Sequence, residues 1–163
     1  MATTVNTPTK PAQLRLTRRS PANWRVTIDN PPINVMGPEM VQEFQEVINA
    51  LETDEQVKVV VFDSAVDDYF LNHSDFLANL DDLTSLPAGP TGLPPWPDFL
   101  VRLTRLPVVS IALIRGRATG NGSEITLACD MSFASREKAI ISQWEVGVGM
   151  VAGGGPMARL PGL

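Results

Sequence analysis

Two nearly continuous aliphatic runs, "VKVVVF" at Val57–Phe62 and "PVVSIALI" at Pro107–Ile114, constrain this chain more than any other feature. A half-exposed strand alternates apolar and polar residues, whereas a run without a polar face must be covered on both sides. Each run leads through a turn into a helical pattern: "DSAVDDYFLNHSDFLANL" follows the first and "RATGNGSEITLAC" the second, with "EITLAC" as a short helix. "DMSFAS" then reads as a further strand. This alternation predicts an α/β fold of right-handed βαβ units rather than a sandwich. Upstream, "QLRLT" and "WRVTI" read as paired short strands around the turn "RRSPAN". From Pro38 onward, Met40, Val41, Phe44, Val47, Ile48 and Leu51 form one helical stripe, with proline at the favoured first position.

A length of 163 residues with 44% hydrophobic composition suits a single core. The domain reading is a disordered Thr/Pro-rich tail over residues 1–12 and one core domain over 13–163. A net charge of −5, with no basic cluster beyond Arg18–Arg19, argues against a nucleic-acid partner. No apolar run is long enough to span a bilayer, so no membrane partner is expected. The single cysteine, Cys129, suits a reducing compartment and reads as a small buried helix residue. The first 28 residues lack acidic side chains and carry Lys10, Arg15, Arg18 and Arg19, a faint transit-peptide character. Strand-like alternation in the same stretch makes cytoplasm the reading, with mitochondrion and peroxisome left open.

Two stretches ask for a functional explanation. Within Ala78–Pro97, "LPAGPTGLPPWP" holds five prolines and two glycines, which predicts a long loop. Trp96 in it either closes over an apolar ligand or pins the loop to the body. The second stretch is "RGRATGNGSEITLACD", Arg115–Asp130, with three glycines before a helix that carries Glu124 in its first turn. Gly116, Gly120 and Gly122 could form a turn with positive backbone angles, with Glu124 merely facing the helix dipole. Alternatively, the glycines bring a ligand to bare amides while Glu124 moves a proton beside it. Two such strand exits at one end of a sheet could converge two amides on one oxygen, as an enolate-forming thioester requires.

The ordered segments from Pro107 to Leu160, including the acidic residue after the glycine cluster and the later "QWEVGVG…GGG", resemble the crotonase or enoyl-CoA hydratase/isomerase superfamily. The resemblance runs from about Gln13 to the last residue. It implies a crotonase-like spiral of repeated ββα units. It also implies an acyl-CoA thioester substrate of fatty acid metabolism, with coenzyme A as part of the substrate, no separate cofactor and no metal. By position, Glu124 and Glu145 match the catalytic glutamates of the hydratases. Ser74 and Asn121 match the residues whose backbone amides form the oxyanion hole. Ile33, Leu71 and Asn72 fall where the family's chain runs along coenzyme A. His73 and Gly120 complete the expected substrate-binding set. His73 stands where the family usually has glycine, its side chain read either towards substrate or as bonded to the loop. The family's members continue past "RLPGL", so the C-terminal helical segment is expected to be missing and apolar surface exposed. Full-length relatives imply a homo-oligomer, trimer or hexamer. Two glutamates imply a lyase adding water to a 2-enoyl-CoA. An isomerase using one glutamate, or a non-catalytic acyl-CoA-binding relative, is the alternative.

Overall fold

A computed structural model describes residues 11–78 and 80–162. Most of the disordered tail expected over residues 1–12 lies outside these. Strands β1 (Leu14–Ser20) and β2 (Asn23–Ile28) pair antiparallel, and helix α1 spans Pro38–Thr53. Next come β3 (Val59–Ser64), β4 (Tyr69–Leu71), α2 (Leu80–Thr84) and α3 (Pro95–Leu103). They are followed by β5 (Val109–Ile114), β6 (Arg117–Thr119), α4 (Asn121–Ala128), β7 (Met131–Ala134) and β8 (Ile140–Ser142). A 3-10 turn at Trp144–Val148 and helix α5 (Pro156–Arg159) complete the site region.

Five strands form one sheet in the order β1-β2-β3-β5-β7, and β4-β6-β8 form a second, all-parallel sheet. From β3 onward, each pair gives its first strand to the large sheet and its second to the small one. Repeating that step, with helices between pairs, produces the spiral of ββα units. Met36 adds an isolated parallel bridge to Ser74, which carries the small sheet's register back to the exit of β2.

The stripe expected on α1 is the stripe observed: Met40, Val41, Phe44, Val47, Ile48 and Leu51 are its buried residues. Phe44 lies at the centre, with ring centroids 5.4 Å from Trp96 and 4.9 Å from Phe99. Burying such a side chain stabilises by roughly 1.5–3 kcal/mol, and Phe44→Ala would cost about 3–5 kcal/mol with the cavity it leaves. In β3, Val60 and Phe62 are fully buried and Val59 and Val61 half-buried, as a covered strand requires. In β5 one face, Ser110, Ala112 and Ile114, is buried, but Val109 is exposed and Ile111 and Leu113 half-buried, so the cover expected on both sides is incomplete on the second.

Four further sequence expectations need correction. Arg18–Ser20 continue β1 rather than forming the turn, which shrinks to Pro21–Ala22. The segment 78–97 is not one loop, because it contains α2 and the start of α3. Pro95 and Pro97 sit in the first helical turn, where backbone N–H groups have no intrahelical partner to lose. Helix α4 begins at Asn121, earlier than "EITLAC". Of the three glycines, only Gly120 has a positive φ, 55°. Gly116 and Gly122 serve close approach instead: a Cβ at either would overlap the backbone of Asp68 or Leu71 on the neighbouring repeat.

Candidate active site

Helix α4 starts where the small sheet ends, so its first turn projects beside the exit of β4. In the bridge between Met36 and Ser74, Met36 N–H donates to the His73 carbonyl at 3.0 Å and Asp75 N–H to the Met36 carbonyl at 2.9 Å. A parallel bridge uses the groups flanking Ser74, and its own N–H is left over. Asn121 is the first residue of α4, whose amide has no intrahelical acceptor. Neither amide has a hydrogen-bond partner among the described residues. Their side chains tie the two turns together, Ser74 Oγ–H donating to Asn121 Oδ1 at 2.9 Å.

Both turns border a cavity of about 270 Å³ whose lining includes Ser74, Trp96, Asn121, Glu124, Glu145 and Gly154. Glu124 is 2% exposed. Its Oε2 accepts from Trp96 Nε1–H at 2.6 Å and from Asn121 Nδ2–H at 3.3 Å, and its Oε1 accepts from the Gly154 N–H. Burial pushes the Glu124 carboxyl above the ordinary glutamate range; the Trp96 and Gly154 donors pull it back, the Glu145 charge raises it, and Arg159 lowers it. Glu145, in the 3-10 turn after β8, is 8% exposed, and its Oε2 is buried without a hydrogen-bond partner among the described residues.

Glycine is required twice in this architecture. At Gly120 a Cβ would lie 2.6 Å from Trp144 Nε1 in a backbone conformation that L side chains rarely adopt. A Cβ on Gly154 would overlap the Glu124 carboxylate. Arg159 Nη1–H donates to the Gly154 carbonyl at 2.6 Å and so braces the amide that Glu124 uses.

The structure therefore brings Ser74, Asn121, Glu124 and Glu145 to one cavity. Ile33, Leu71 and Asn72 do not line this cavity; their segments are joined by Asn72 N–H donating to the Asn34 carbonyl at 2.9 Å and Asn34 Nδ2–H to the Phe70 carbonyl at 2.8 Å. Leu71 is fully buried, main chain included, with its carbonyl packed against Gly122, so it backs the segment and presents no group to a ligand. Asn72 Oδ1 accepts from the Thr119 hydroxyl. The Gly120 amide is spent on the Ser142 carbonyl at 3.0 Å. His73 is not in a left-handed conformation. Because a carbonyl only accepts, its Nδ1–H donates to the Ser74 carbonyl at 2.7 Å, while the ring lies 4.7 Å from that of Trp144. Cys129 is half-buried just past the end of α4 rather than a buried helix residue, and burial pushes its thiol up to about 12. Two site residues escaped sequence reasoning. Gly154 lay unremarked within the glycine triplet. Trp96 was weighed only as a lid or a pin, yet its proline-flanked position at a helix start was a usable signal.

Residues 20–162 match the Enoyl-CoA hydratase/isomerase family model. The chain is 33% identical over 144 residues to an ethylmalonyl-CoA decarboxylase of Danio rerio, covering 85% of this chain and 45% of the relative. It is 31% identical over 139 residues to a short-chain-enoyl-CoA hydratase of Clostridium acetobutylicum, covering 85% and 52%. The chain thus spans about half the length of these curated relatives. Among solved structures, a candidate enoyl-CoA hydratase of Streptomyces avermitilis superposes with a TM-score of 0.84 at 34% identity, covering 93% of this chain and 56% of that one. The spiral of ββα units is the crotonase fold, and with the family match over nearly the whole sequence, the chain belongs to the enoyl-CoA hydratase/isomerase superfamily.

Proposed function

We propose that this chain carries the acid/base and oxyanion machinery of an enzyme that adds water across the double bond of a 2-enoyl-CoA. The observation that carries this reading is one cavity bordered by two buried glutamates and by two residues whose backbone amides lack partners among the described residues. The thioester oxygen would sit between the Ser74 and Asn121 N–H groups. There, fixed donors stabilise the charge that develops on it as an enolate. Water attacks C3 while Glu124, each of whose oxygens accepts an N–H, takes its proton. The C2=C3 electron pair moves onto the thioester oxygen. Collapse of the enolate takes a proton at C2 from Glu145, completing the addition of one water. A net proton shift from Glu124 to Glu145 restores the resting state. Coenzyme A would arrive as part of the substrate and pass Ile33 and Asn72, with the buried Leu71 backing that segment.

The decarboxylase among the relatives suggests a second reading, loss of CO2 from a malonyl-type thioester through the same enolate. The Glu124 carboxylate facing the cavity would repel the substrate carboxylate, which favours hydration. The test follows enoyl-thioester absorbance with crotonyl-CoA for the wild type, Glu124→Gln and Glu145→Gln, alongside CO2 release from ethylmalonyl-CoA. Hydration predicts a loss of about 10²- to 10⁴-fold in both variants with binding kept. A loss at Glu124 alone points to isomerisation. Binding of crotonyl-CoA without turnover makes the chain a binding relative.

A further inference from the structure

The proline-rich segment delivers one side chain to the site, and it is a donor-only group. Pro95 and Pro97 fix the first turn of α3, and Trp96 between them is 8% exposed. Its ring stacks on Phe99 at 5.4 Å with a 20° interplanar angle, and it meets Phe44 edge-on at 5.4 Å and 65°. Phe44 and Phe99 are themselves fully buried, so the indole is packed against the core on the side away from the cavity. Its N–H therefore has a fixed direction, and it ends 2.6 Å from Glu124 Oε2.

We propose that Trp96 is a positioning residue for the reaction, its indole N–H holding the Glu124 carboxylate in place and biasing it towards its proton-accepting form. The proposal rests on the hydration reading above. An indole N–H donates and cannot accept, and the same is true of the Gly154 amide on the other oxygen. Asn121 adds a longer N–H contact at 3.3 Å, and its own Oδ1 is occupied by the Ser74 hydroxyl. A proton arriving on Glu124 finds no acceptor among these partners and weakens the three N–H contacts, which all favour the ionised form. Trp96 is the only one of these three that donates from a ring held by the hydrophobic core. The charged groups acting on Glu124 from the packed elements are Glu145 on the 3-10 turn and Arg159 on α5, of opposite sign. Neither replaces the direction that the indole supplies.

The experiment compares the wild-type chain with Trp96→Phe and with Trp96 replaced by β-(3-benzothienyl)alanine, which exchanges the N–H for sulfur in a nearly isosteric ring. Circular dichroism checks folding. Two readouts are taken: the pH profile of crotonyl-CoA hydration, and an infrared titration of the carboxyl band that disappears in Glu124→Gln. Loss of a hydrogen bond to a charged group predicts a fall in kcat of about 10-fold at neutral pH with KM nearly unchanged. It also predicts that the acidic limb and the infrared titration both move to higher pH in both variants. A fall in kcat with the limb and the band unmoved makes Trp96 a packing residue and overturns the proposal. If the wild type does not hydrate crotonyl-CoA, the functional reading fails separately. The infrared titration then decides on Trp96 by itself: an upward shift sustains the proposal, and an unmoved band overturns it.

Discussion

The two walls of the cavity carry one glutamate each, and they are built in opposite ways. Glu124 stands on a wall made of α4 and α3 that is continuous with the core. Asp98 on α3 is fully buried, accepts from Thr91 N–H and Oγ–H at 2.9 and 2.6 Å, and pairs with Arg102. Arg102 reaches on to Glu52, Gln45 and Asn49 of α1. Glu145 stands on a segment whose apolar neighbours face outward, Val146 at 78% and Val151 at 75% exposure. Its local ties are main-chain ones, such as Met150 N–H to the Glu145 carbonyl at 2.9 Å. One carboxylate is thus placed by side chains interlocked across three helices, and the other by the course of a loop. The difference teaches where substitutions act: on the first wall through stability, on the second through alignment.

The largest effect is expected where the first wall is anchored. Arg102→Ala leaves the buried Asp98 without its cation, held only by Thr91 and the Gln45 side chain, and costs about 3 kcal/mol of unfolding free energy, read by urea denaturation. The variant also changes the pH dependence. Burial acts to raise Asp98, but the Thr91 and Arg102 hydrogen bonds win and hold its carboxyl below the usual range. A depressed carboxyl contributes stability above its unfolded pKa, and that contribution is lost as pH falls through the folded value. The wild type should therefore lose stability across that acidic window, and Arg102→Ala should lose less there. Equal slopes would show that the anchor is not electrostatic.

Next in size is the point where the loop wall meets the Glu124 carboxylate itself. Gly154→Ala puts a methyl group into the space of the Glu124 carboxylate and should lower turnover of crotonyl-CoA by about 100-fold. Gly147→Ala, in the same segment but with nothing within 4 Å of its added carbon, should stay within a few-fold of wild type. Similar losses in the two would mean that the segment is sensitive throughout rather than at its contact with Glu124.

How much of this was legible in the sequence follows the same division. The α1 stripe and the cores of β3 and β5 were readable, because burial over 6 to 16 residues leaves a period. Strands β4, β6 and β8 are three residues each, too short to show one, and the ββα repeat came from resemblance alone. Segment 78–97 misled because five prolines read as loop. Two of them occupy the first turn of α3, which tolerates proline, while Phe99, Leu100 and Leu103 carry the helical spacing. Glu124 and Glu145 could be picked out, but the Trp96 bond to Glu124 spans 28 positions and no local pattern encodes it.

The smallest effect separates charge from contact at Glu124. Arg159 has two roles there: it braces the Gly154 carbonyl at 2.6 Å, and its charge lowers Glu124 against the upward push of burial and Glu145. Arg159→Met removes both, and the fall in kcat at neutral pH should be only a few-fold, because the partly exposed charge is screened by water. The acidic limb should move to higher pH, since a cation that favoured the ionised carboxyl is gone. Glu145→Gln should move the Glu124 titration the other way at pH values where Glu145 carries charge, because the like charge that disfavoured ionisation of Glu124 is then gone. Arg159→Lys should restore the limb if charge is what matters and leave it displaced if the brace on Gly154 matters more. Opposite shifts at Arg159 and Glu145 would show that the two walls meet electrostatically at Glu124. Shifts of the same sign would mean that the loop wall acts on it only by moving the Gly154 amide.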